Sequence, residues 1–233
     1  MYEEKIIPQK KAMPQAQDGT LRKFALRVPE VIYQCSGIMV FGKRIKSLVF
    51  STDLSIIKNV NADAIIAVYP FTPQPIITQA LLLAADIPVF AGVGGGLTKG
   101  QRVVNLAMFA EMQGATGVVL NAPTANTVVQ HVAETIDIPV VVTVARADTD
   151  FDARLQSGTN IFNVSAAAET PAIVRSIRER YPDVPIIATG GPTDESILET
   201  IKAGANAITW TPPSNGEIFR DIMAAYRENK PHP

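Results

Sequence analysis

The chain is poor in the side chains that most often act as nucleophiles, bases or metal ligands. It has only two histidines: His131 is predicted to lie within a helix, and His232 is in the C-terminal tail. This argues against a histidine base or a histidine metal site. The single cysteine, Cys35, excludes an internal disulfide and favours the cytoplasm without excluding other compartments. Acid–base chemistry would therefore fall to carboxylates.

Two further absences limit the partners. The formal net charge is −1, so the chain lacks the basic excess that is typical of a nucleic-acid-binding protein. The longest apolar runs contain a handful of residues, whereas a membrane-spanning helix needs roughly 20. Residues 1–17 are polar and are interrupted by Pro8 and Pro14, unlike a secretory signal segment. We therefore expect neither nucleic acid nor membrane as a partner.

The material that is present is enough for a large core. Apolar residues make up 47% of the sequence and charged residues 18%. A chain of 233 residues is close to the roughly 250 that one α/β barrel typically needs. These totals favour one soluble folded domain.

Two kinds of opening alternate along the chain ahead of short apolar runs. The first kind begins at an aspartate and has a proline two residues later, as in Asp86–Val89, Asp137–Val140 and Asp183–Ile186. The second kind is rich in glycine, alanine and asparagine, as in Asn61–Ile65, Gly114–Val118, Gly158–Ile161 and Gly204–Ile208. Proline is accepted at the first residue of a strand, and glycine suits the end of the preceding helix. The openings thus predict where seven strands begin, and an eighth apolar run, Ser47–Phe50, precedes them all.

These runs are apolar on both faces, which is typical of a parallel sheet covered by helices. Stretches of helical period lie between them, so the pattern is strand then helix, eight times. We predict an α/β fold, a single (β/α)8 TIM barrel over residues 46–233. An open doubly wound sheet is the alternative, and the alternation of the two openings favours closure. Residues 1–45 are predicted to form an N-terminal extension, with a helix over Thr20–Gln34, interrupted at Pro29, that caps the barrel bottom.

Active sites of such barrels lie in the loops at the carboxyl ends of the strands. Asp53 is the only acid directly at such an end, and burial there would raise its pKa towards a useful range. It is therefore the first candidate for the catalytic base, with an ordinary helix N-cap as the alternative. Asp148 is a further catalytic candidate. It lies in an acidic loop, and aspartates in such a loop more often form a polar surface or cap a helix than act in catalysis. Asn121 and Asn163 end two other strands and would hold the substrate.

Two glycine-rich loops predict an anion site. Gly190 and Gly191 end the seventh strand ahead of a predicted helix, where bare N–H groups and the helix dipole favour a phosphate. Ser214 and Asn215 could add donors after the eighth strand. The run Gly92–Gly96, which includes Gly94 and Gly95, repeats this pattern after the third strand, with Lys99 close behind. The alternative is that these glycines only form tight turns.

The remaining polar residues near the strand ends suit a hydroxylated or carboxylated small molecule. They are predicted to bind substrate and are Tyr69, Lys99, Thr143, Arg146, Ser165 and Thr209. We predict no metal site and no cofactor; a divalent ion held by Asp53 and the acidic loop is the alternative, which ligand spacing does not support.

The segments Val93–Leu97 and Ala188–Gly191 resemble the paired glycine loops of the ribulose-phosphate-binding, aldolase-type barrels. The histidine-biosynthesis sugar isomerase and its cyclase relative are the most similar in layout. This resemblance implies an aspartate after the first strand, matched by Asp53, and a second catalytic residue after the fifth, matched by Asp148 or Asp150. It departs after the eighth strand, where Thr211-Pro212-Pro213 replaces a glycine-containing loop. Ile161–Pro192 also resembles the keto-deoxy-phosphogluconate aldolases, whose Schiff-base lysine has no counterpart between Lys99 and Lys202.

We therefore expect an enzyme that acts on a small phosphorylated metabolite by carboxylate acid–base chemistry, as an isomerase, epimerase or lyase. A small-molecule hydrolase and a non-catalytic metabolite sensor are the alternatives, because this fold hosts many chemistries. A homo-oligomer is compatible with the sequence.

Overall fold

Strands and helices alternate along almost the whole described chain, and the computed structural model describes Gly19 and residues 26–232. Its strands are β1 (Ile38–Val40), β2 (Lys43–Ile45), β3 (Ser47–Phe50), β4 (Ala64–Ala67), β5 (Val89–Gly94), β6 (Gly117–Leu120), β7 (Val140–Val144), β8 (Ile161–Val164), β9 (Ile186–Thr189) and β10 (Ala207–Trp210). Its α-helices are α1 (Leu54–Lys58), α2 (Pro75–Ala84), α3 (Gln101–Met112), α4 (Asn126–Thr135), α5 (Phe151–Gln156), α6 (Thr170–Arg180), α7 (Asp194–Lys202) and α8 (Asn215–Arg227).

The eight parallel strands β3 to β10 close into one barrel. Closure is made by β10 and β3, which pair in parallel with Ile208 opposite Ser47. Each barrel strand is followed by a helix, so the predicted (β/α)8 TIM barrel is confirmed. The third barrel strand is longer than predicted, because Gly92 and Gly94 lie within β5 and the loop begins at Gly95.

The barrel interior is filled by one apolar cluster to which all eight strands contribute. Its barrel members are Leu48, Ala64, Ile66, Phe90, Val119, Val141, Ile161, Ile187 and Ala207. Side chains on a strand alternate between two faces, so residues two positions further along point into the barrel one layer nearer its carboxyl end. That next layer is where the polar strand-end residues lie.

A β-hairpin that the sequence did not predict closes the amino end of the barrel. β1 and β2 pair antiparallel around Phe41 and Gly42, both of which have positive φ (45° and 77°). Ile38, Val40 and Ile45 belong to the same interior cluster as the barrel strands, so the hairpin fills the bottom of the barrel.

The interruption predicted at Pro29 is present, but the described part of the segment predicted as a helix over residues 20–34 forms no α-helix. Residues 26–29 are irregular, and a short 3₁₀-helix, Glu30–Gln34, follows Pro29. Proline disfavours helical backbone at the preceding residue, which accounts for the break. The remaining residues of the prediction, 20–25, lie outside the described part of the chain.

This N-terminal segment packs on the outside of the barrel. Val28, Ile32 and Cys35 are buried in the cluster that also holds Ile57 of α1 and Ile197 of α7. The last helix, α8, has no buried side chain and exposes Phe219, Met223 and Tyr226. Among the described residues, no helix combines the length and the apolar content needed to cross a bilayer.

Candidate active site at the carboxyl end of the barrel

Two adjoining cavities open at the carboxyl ends of the strands, and we call them together the mouth. The larger, of about 570 Å³, is lined by residues 50–53 at and after the end of β3 and by residues 211–215 after β10. The smaller, of about 170 Å³, is lined mainly by residues 69–71 and by the glycine loop after β5. Tyr69 and Asn121 line both cavities. The structure therefore brings together Asp53, Tyr69, Asn121, Ser214 and Asn215 from the predicted site.

Among the described residues, Asp53 is the only charged side chain that lines the mouth, and it is also the N-cap of α1. Its Oδ1 accepts hydrogen bonds from the backbone N–H of Ser55 (2.8 Å) and from the Ser55 hydroxyl (2.7 Å). Its Oδ2 accepts one from the Nδ2 of Asn215 at 2.5 Å. These bonds, that of the Ser55 hydroxyl foremost, hold the pKa of Asp53 below its ordinary value. The expectation of a raised pKa was therefore wrong, because hydrogen bonding outweighs burial at this half-buried site.

The other acidic candidate lies away from the mouth. Asp148 is exposed and forms an ion pair with the neighbouring Arg146 (2.6 Å), which lowers its pKa. Asp150 caps α5 by accepting a hydrogen bond from the N–H of Ala153. None of Arg146, Asp148 and Asp150 lines the mouth. Exposed pairs of this kind contribute little energy, so the arrangement is that of a polar surface loop.

A polar layer lies below the mouth, two residues beyond the apolar cluster on three of the strands. It contains the buried Asn163 and Thr209 and the half-buried Thr143, and Asn163 Nδ2 donates to Thr143 Oγ1 at 3.3 Å. Asn163 is 8% exposed and Thr209 7%, yet Asn163 Oδ1 and Thr209 Oγ1 have no hydrogen-bond partner among the described residues. A buried polar atom without a partner is costly, and in native proteins it usually meets a water or a ligand. Ser165, by contrast, is exposed beyond this layer.

The glycines after β5 have three different surroundings. A Cβ on Gly94 would lie 2.5 Å from a methyl group of Val103, so Gly94 lets α3 pack against the strand. Gly95 has φ +105°, and a Cβ there would lie 2.4 Å from the Cβ of Asn121. Gly96 has φ +64° and nothing within 4 Å of a built Cβ. Gly96 thus presents bare backbone to open space, as does Gly100 at the end of the same loop.

A third cavity, the α3–α4 cavity, lies on the other side of this loop. It measures about 360 Å³ and is lined by Gly95, Gly96 and Lys99 together with Pro123, Thr124 and the first residues of α3 and α4. Neither helix has a side-chain cap, since their N-caps are Gly100 and Ala125. Thr124 is 6% exposed, and its Oγ1 has no partner among the described residues. Uncapped N–H groups, a lysine and an unpartnered hydroxyl form surroundings that suit an anion.

The glycines and donors after β9 and β10 already have contacts of their own. Gly190 is packed between the side chains of Ile197 and Ile208. The hydroxyl of Thr193 accepts from the N–H of Ser196 in a capping box at the start of α7. Ser214 and Glu217 form a second capping box at the start of α8, and Asn215 binds Asp53. The phosphate role of Gly190, Gly191, Ser214 and Asn215 stays a prediction, and the structure gives these helix starts other partners.

Gly190→Ala tests whether this glycine serves packing or ligand binding. The added methyl would lie 2.7 Å from Ile197 and 2.8 Å from Ile208, and overpacking typically costs about 1–3 kcal/mol. We expect a lower free energy of unfolding in denaturant titrations and an unchanged affinity for inorganic phosphate. Gly96→Ala is the converse control: its methyl meets no atom, so it should cost only about 1–2 kcal/mol for left-handed backbone while obstructing the glycine loop. A phosphate affinity lost in Gly190→Ala and kept in Gly96→Ala would place the anion after β9.

Two residues of this region have surroundings that the sequence did not indicate. Gly96 belongs to the predicted anion loop Gly92–Gly96, whereas Thr124 follows β6 and was not named as a binding residue. The signal for Thr124 is spatial, because its loop begins beside the end of β5, where the N–H of Asn121 donates to Gly94 O (2.9 Å) just before the glycine loop. Gly96 differs from its neighbouring glycines only in the empty space beside it, which requires coordinates to see.

No protein-family model matches the chain, and no curated protein matches its sequence. Solved structures do match. A protein from Burkholderia cenocepacia described as a phosphonomutase is 14% identical with a TM-score of 0.62, over 78% of this chain and 93% of that one. A phosphonopyruvate hydrolase in complex with oxalate and Mg²⁺ is 12% identical with a TM-score of 0.58, over 80% and 84%. Dihydrodipicolinate synthase from Bacillus anthracis is 18% identical with a TM-score of 0.56, over 78% and 76%. At these identities the likeness shows the TIM-barrel fold alone.

Proposed function

We propose that the protein is an enzyme that acts on a small phosphorylated metabolite by proton transfer, as an isomerase, epimerase or lyase. One observation carries the proposal: a single carboxylate, Asp53, lines a mouth whose other lining side chains are uncharged, above a buried layer with two unpartnered oxygens. A mouth of this kind can bind a polar small molecule and offers it one group that accepts a proton.

Asp53 is the proposed base. Its lowered pKa keeps it ionised at neutral pH, so it is ready to accept a proton but is a weak base in the free protein. A substrate that covers the mouth would remove water from Asp53 and raise its pKa, since burial disfavours the charged form. Asn121 would bind the substrate from the wall of both cavities, and Asn163 and Thr209 from the layer below.

The phosphate group is best placed at the loops after β5 and β6. Gly95 and Gly96 separate the mouth from the α3–α4 cavity and line parts of both. The uncapped starts of α3 and α4 supply N–H donors, and the exposed Lys99 supplies a positive charge. By comparison, the helices after β9 and β10 are capped by their own side chains and begin with acidic residues.

The names of the structural neighbours agree with an anionic substrate. Two of them are described as a phosphonomutase and a phosphonopyruvate hydrolase, and a third as dihydrodipicolinate synthase. These names lend support to lyase or isomerase chemistry on small anionic metabolites, without identifying the substrate of this chain.

A divalent metal would find few protein ligands in the mouth, although Mg²⁺ is often held by one or two carboxylates together with substrate phosphates. One neighbour contains Mg²⁺, but the described residues of this chain include no group of three histidine, cysteine or acidic side chains that could hold an ion. Within the described part of the chain, Asp53 is the only such ligand that lines the mouth, and its oxygens already accept hydrogen bonds. The proposed proton transfer therefore involves only the residues of the chain, and a metal-assisted hydrolase has less support.

A non-catalytic metabolite-binding protein is the second candidate. The observation that favours it is the double engagement of Asp53, whose two oxygens act in helix capping and in the contact to Asn215. Such a protein would use the same mouth and the same anion site without chemistry.

The proposal is tested by thermal denaturation of the protein with phosphorylated metabolites and their unphosphorylated counterparts. A ligand at 100 times its Kd should stabilise the fold by about 2.7 kcal/mol, which is readily seen as a rise in Tm. We expect only phosphorylated compounds to raise the Tm. Equal effects of the unphosphorylated counterparts, or no effect at all, would remove phosphate from the proposed function.

Paired lysine variants locate the anion in the same assay. Lys99→Met should reduce the stabilisation by phosphorylated compounds, because it removes a charge from the α3–α4 cavity. Lys202→Met is the matched control, since Lys202 is an exposed lysine in the last turn of α7, at the opposite end of the barrel. Equal stabilisation in the two variants would argue against an anion beside Lys99.

A further inference from the structure

Arg154 of α5 binds the back of the loop that follows β6. Its Nη1 donates to the carbonyl of Thr124 (2.5 Å) and to Oδ1 of Asn126 (2.8 Å), and its Nη2 donates to the carbonyl of Ala122 (2.8 Å). Arg154 is half-buried and takes part in none of the ion pairs between described residues. Its guanidinium is thus committed to three oxygens of one loop, in a fixed planar geometry.

These contacts set the direction of the donors at the start of α4. A trans peptide unit is planar, so its C=O and N–H point in opposite directions, and the described residues contain no cis peptide bond. The carbonyl of Thr124 points at Arg154, and the N–H of Ala125 in the same peptide unit therefore points away from it. Ala125 is the N-cap of α4, has no side-chain capping bond, and lines the α3–α4 cavity.

The other side of this loop faces the anion surroundings. Thr124 lines the same cavity and has a buried hydroxyl oxygen with no partner among the described residues. The opposite wall is formed by Gly96, Lys99 and the start of α3. Arg154 itself does not line the cavity. It lies one layer behind the donors.

We propose that Arg154 is the positioning residue of this anion site: it holds three loop oxygens on the far side, so that the α4 N–H groups and the Thr124 hydroxyl converge on a phosphate monoester. The inference rests on the anion location given under the proposed function. Arg154 would act through the bidentate geometry of its guanidinium and not through its positive charge, because the carbonyls of Ala122 and Thr124 must be bound together.

The test compares three folded variants for their affinity for inorganic phosphate, measured by isothermal titration well below the Tm. Arg154→Gln removes the bridge, and Arg154→Lys keeps the charge without the planar fork. Arg178→Gln is the matched control. Arg178 is also a half-buried arginine that donates to backbone carbonyls, including Gly204 O at 3.0 Å, but at the amino end of the barrel. Amide hydrogen exchange of residues 121–128 is recorded for each protein.

We expect Arg154→Gln and Arg154→Lys to weaken phosphate binding by about tenfold, by analogy with the lower end of the range for side chains that orient metal ligands. Exchange at residues 121–128 should rise in both, whereas Arg178→Gln should bind phosphate like the wild type. If the wild type binds phosphate and Arg154→Gln binds it with equal affinity, the positioning role alone is overturned. The same holds if Arg154→Lys keeps the full phosphate affinity of the wild type. Absence of phosphate binding by the wild type would overturn the anion site itself, together with the role of Arg154 in it.

Discussion

Asp53→Asn is expected to lower kcat by about 10²- to 10⁴-fold, the usual contribution of a positioned general base. Asparagine has nearly the shape of aspartate but cannot accept the proton. It is also as good an N-cap as aspartate, so the capping bond to the Ser55 N–H can be kept. Binding of a phosphorylated compound should therefore persist while turnover is lost. The assay follows conversion, or exchange of a carbon-bound hydrogen with D₂O, for a compound that raises the Tm.

Asp150→Asn is the matched control, because it makes the same change at the N-cap of α5, outside the mouth. Its turnover should equal that of the wild type. Asp53→Ala should lose turnover and also about 1 kcal/mol of stability, since it removes the cap as well. Full turnover in Asp53→Asn would exclude Asp53 as the base and, with binding intact, would favour a different catalytic group. Binding without any turnover in the wild type would favour the non-catalytic candidate.

The pH dependence of Asp53 follows from the direction of its pKa shift. Its pKa in the folded state lies below the ordinary value of 3.8, so the folded state binds fewer protons than the unfolded state near that pH. The stabilisation is therefore fully present above the ordinary value and is lost as the pH falls through the folded pKa. For the same reason, the acid limb of kcat/KM, which reports the free enzyme, should lie below pH 3.8. Asp53→Asn should show neither this loss of stability at low pH nor this acid limb of kcat/KM.

The barrel could be predicted because its signal is local and repeated. Each strand is an apolar run with a punctuated start, and period two alone places Asn163 and Thr209 on the same side as Ile161 and Ala207. The hairpin at the bottom could not be predicted in this way. Its strands have three residues each, too few to show a period, and its turn is built on Phe41, which a turn signal does not include.

The glycine loops show a second limit of sequence reasoning. A position can require glycine for one of several structural reasons, and which reason applies depends on residues that are distant in the sequence. Gly94 makes room for Val103 and Gly190 for Ile197, whereas Gly96 borders open space. The pKa of Asp53 has the same dependence, since one of its hydrogen-bond donors, Asn215, lies 162 residues away along the chain. Pattern and spacing locate such residues at the strand ends but do not give their neighbours.

The buried polar layer leads to a prediction in which stability and function change in opposite directions. Thr209→Val keeps the shape of the side chain and removes the hydroxyl that has no partner, and Asn163→Leu removes the unpartnered amide oxygen together with the 3.3 Å bond to Thr143. An unsatisfied buried group costs about 1–3 kcal/mol, so Thr209→Val should be more stable to denaturant than the wild type, and Asn163→Leu should gain less because its bond to Thr143 is lost. If a substrate supplies the missing partner, both should also bind it more weakly, by about 10- to 100-fold for 1.4–2.8 kcal/mol of lost interaction.

Thr159→Val separates these two effects. Thr159 is 6% exposed and has the same unpartnered hydroxyl oxygen, but it precedes β8 at the amino end of the barrel, away from the mouth. It should gain stability like Thr209→Val and bind phosphorylated compounds like the wild type. Denaturant titration measures the stability of each variant, and ligand-induced Tm shifts measure its ligand binding. Equal ligand affinity in Thr209→Val and Thr159→Val would mean that the layer below the mouth contacts no substrate. If Thr209→Val and Asn163→Leu lose ligand affinity and Thr159→Val does not, the substrate is the partner of these two oxygens. The fold then keeps them unpaired in the free protein at a cost in stability.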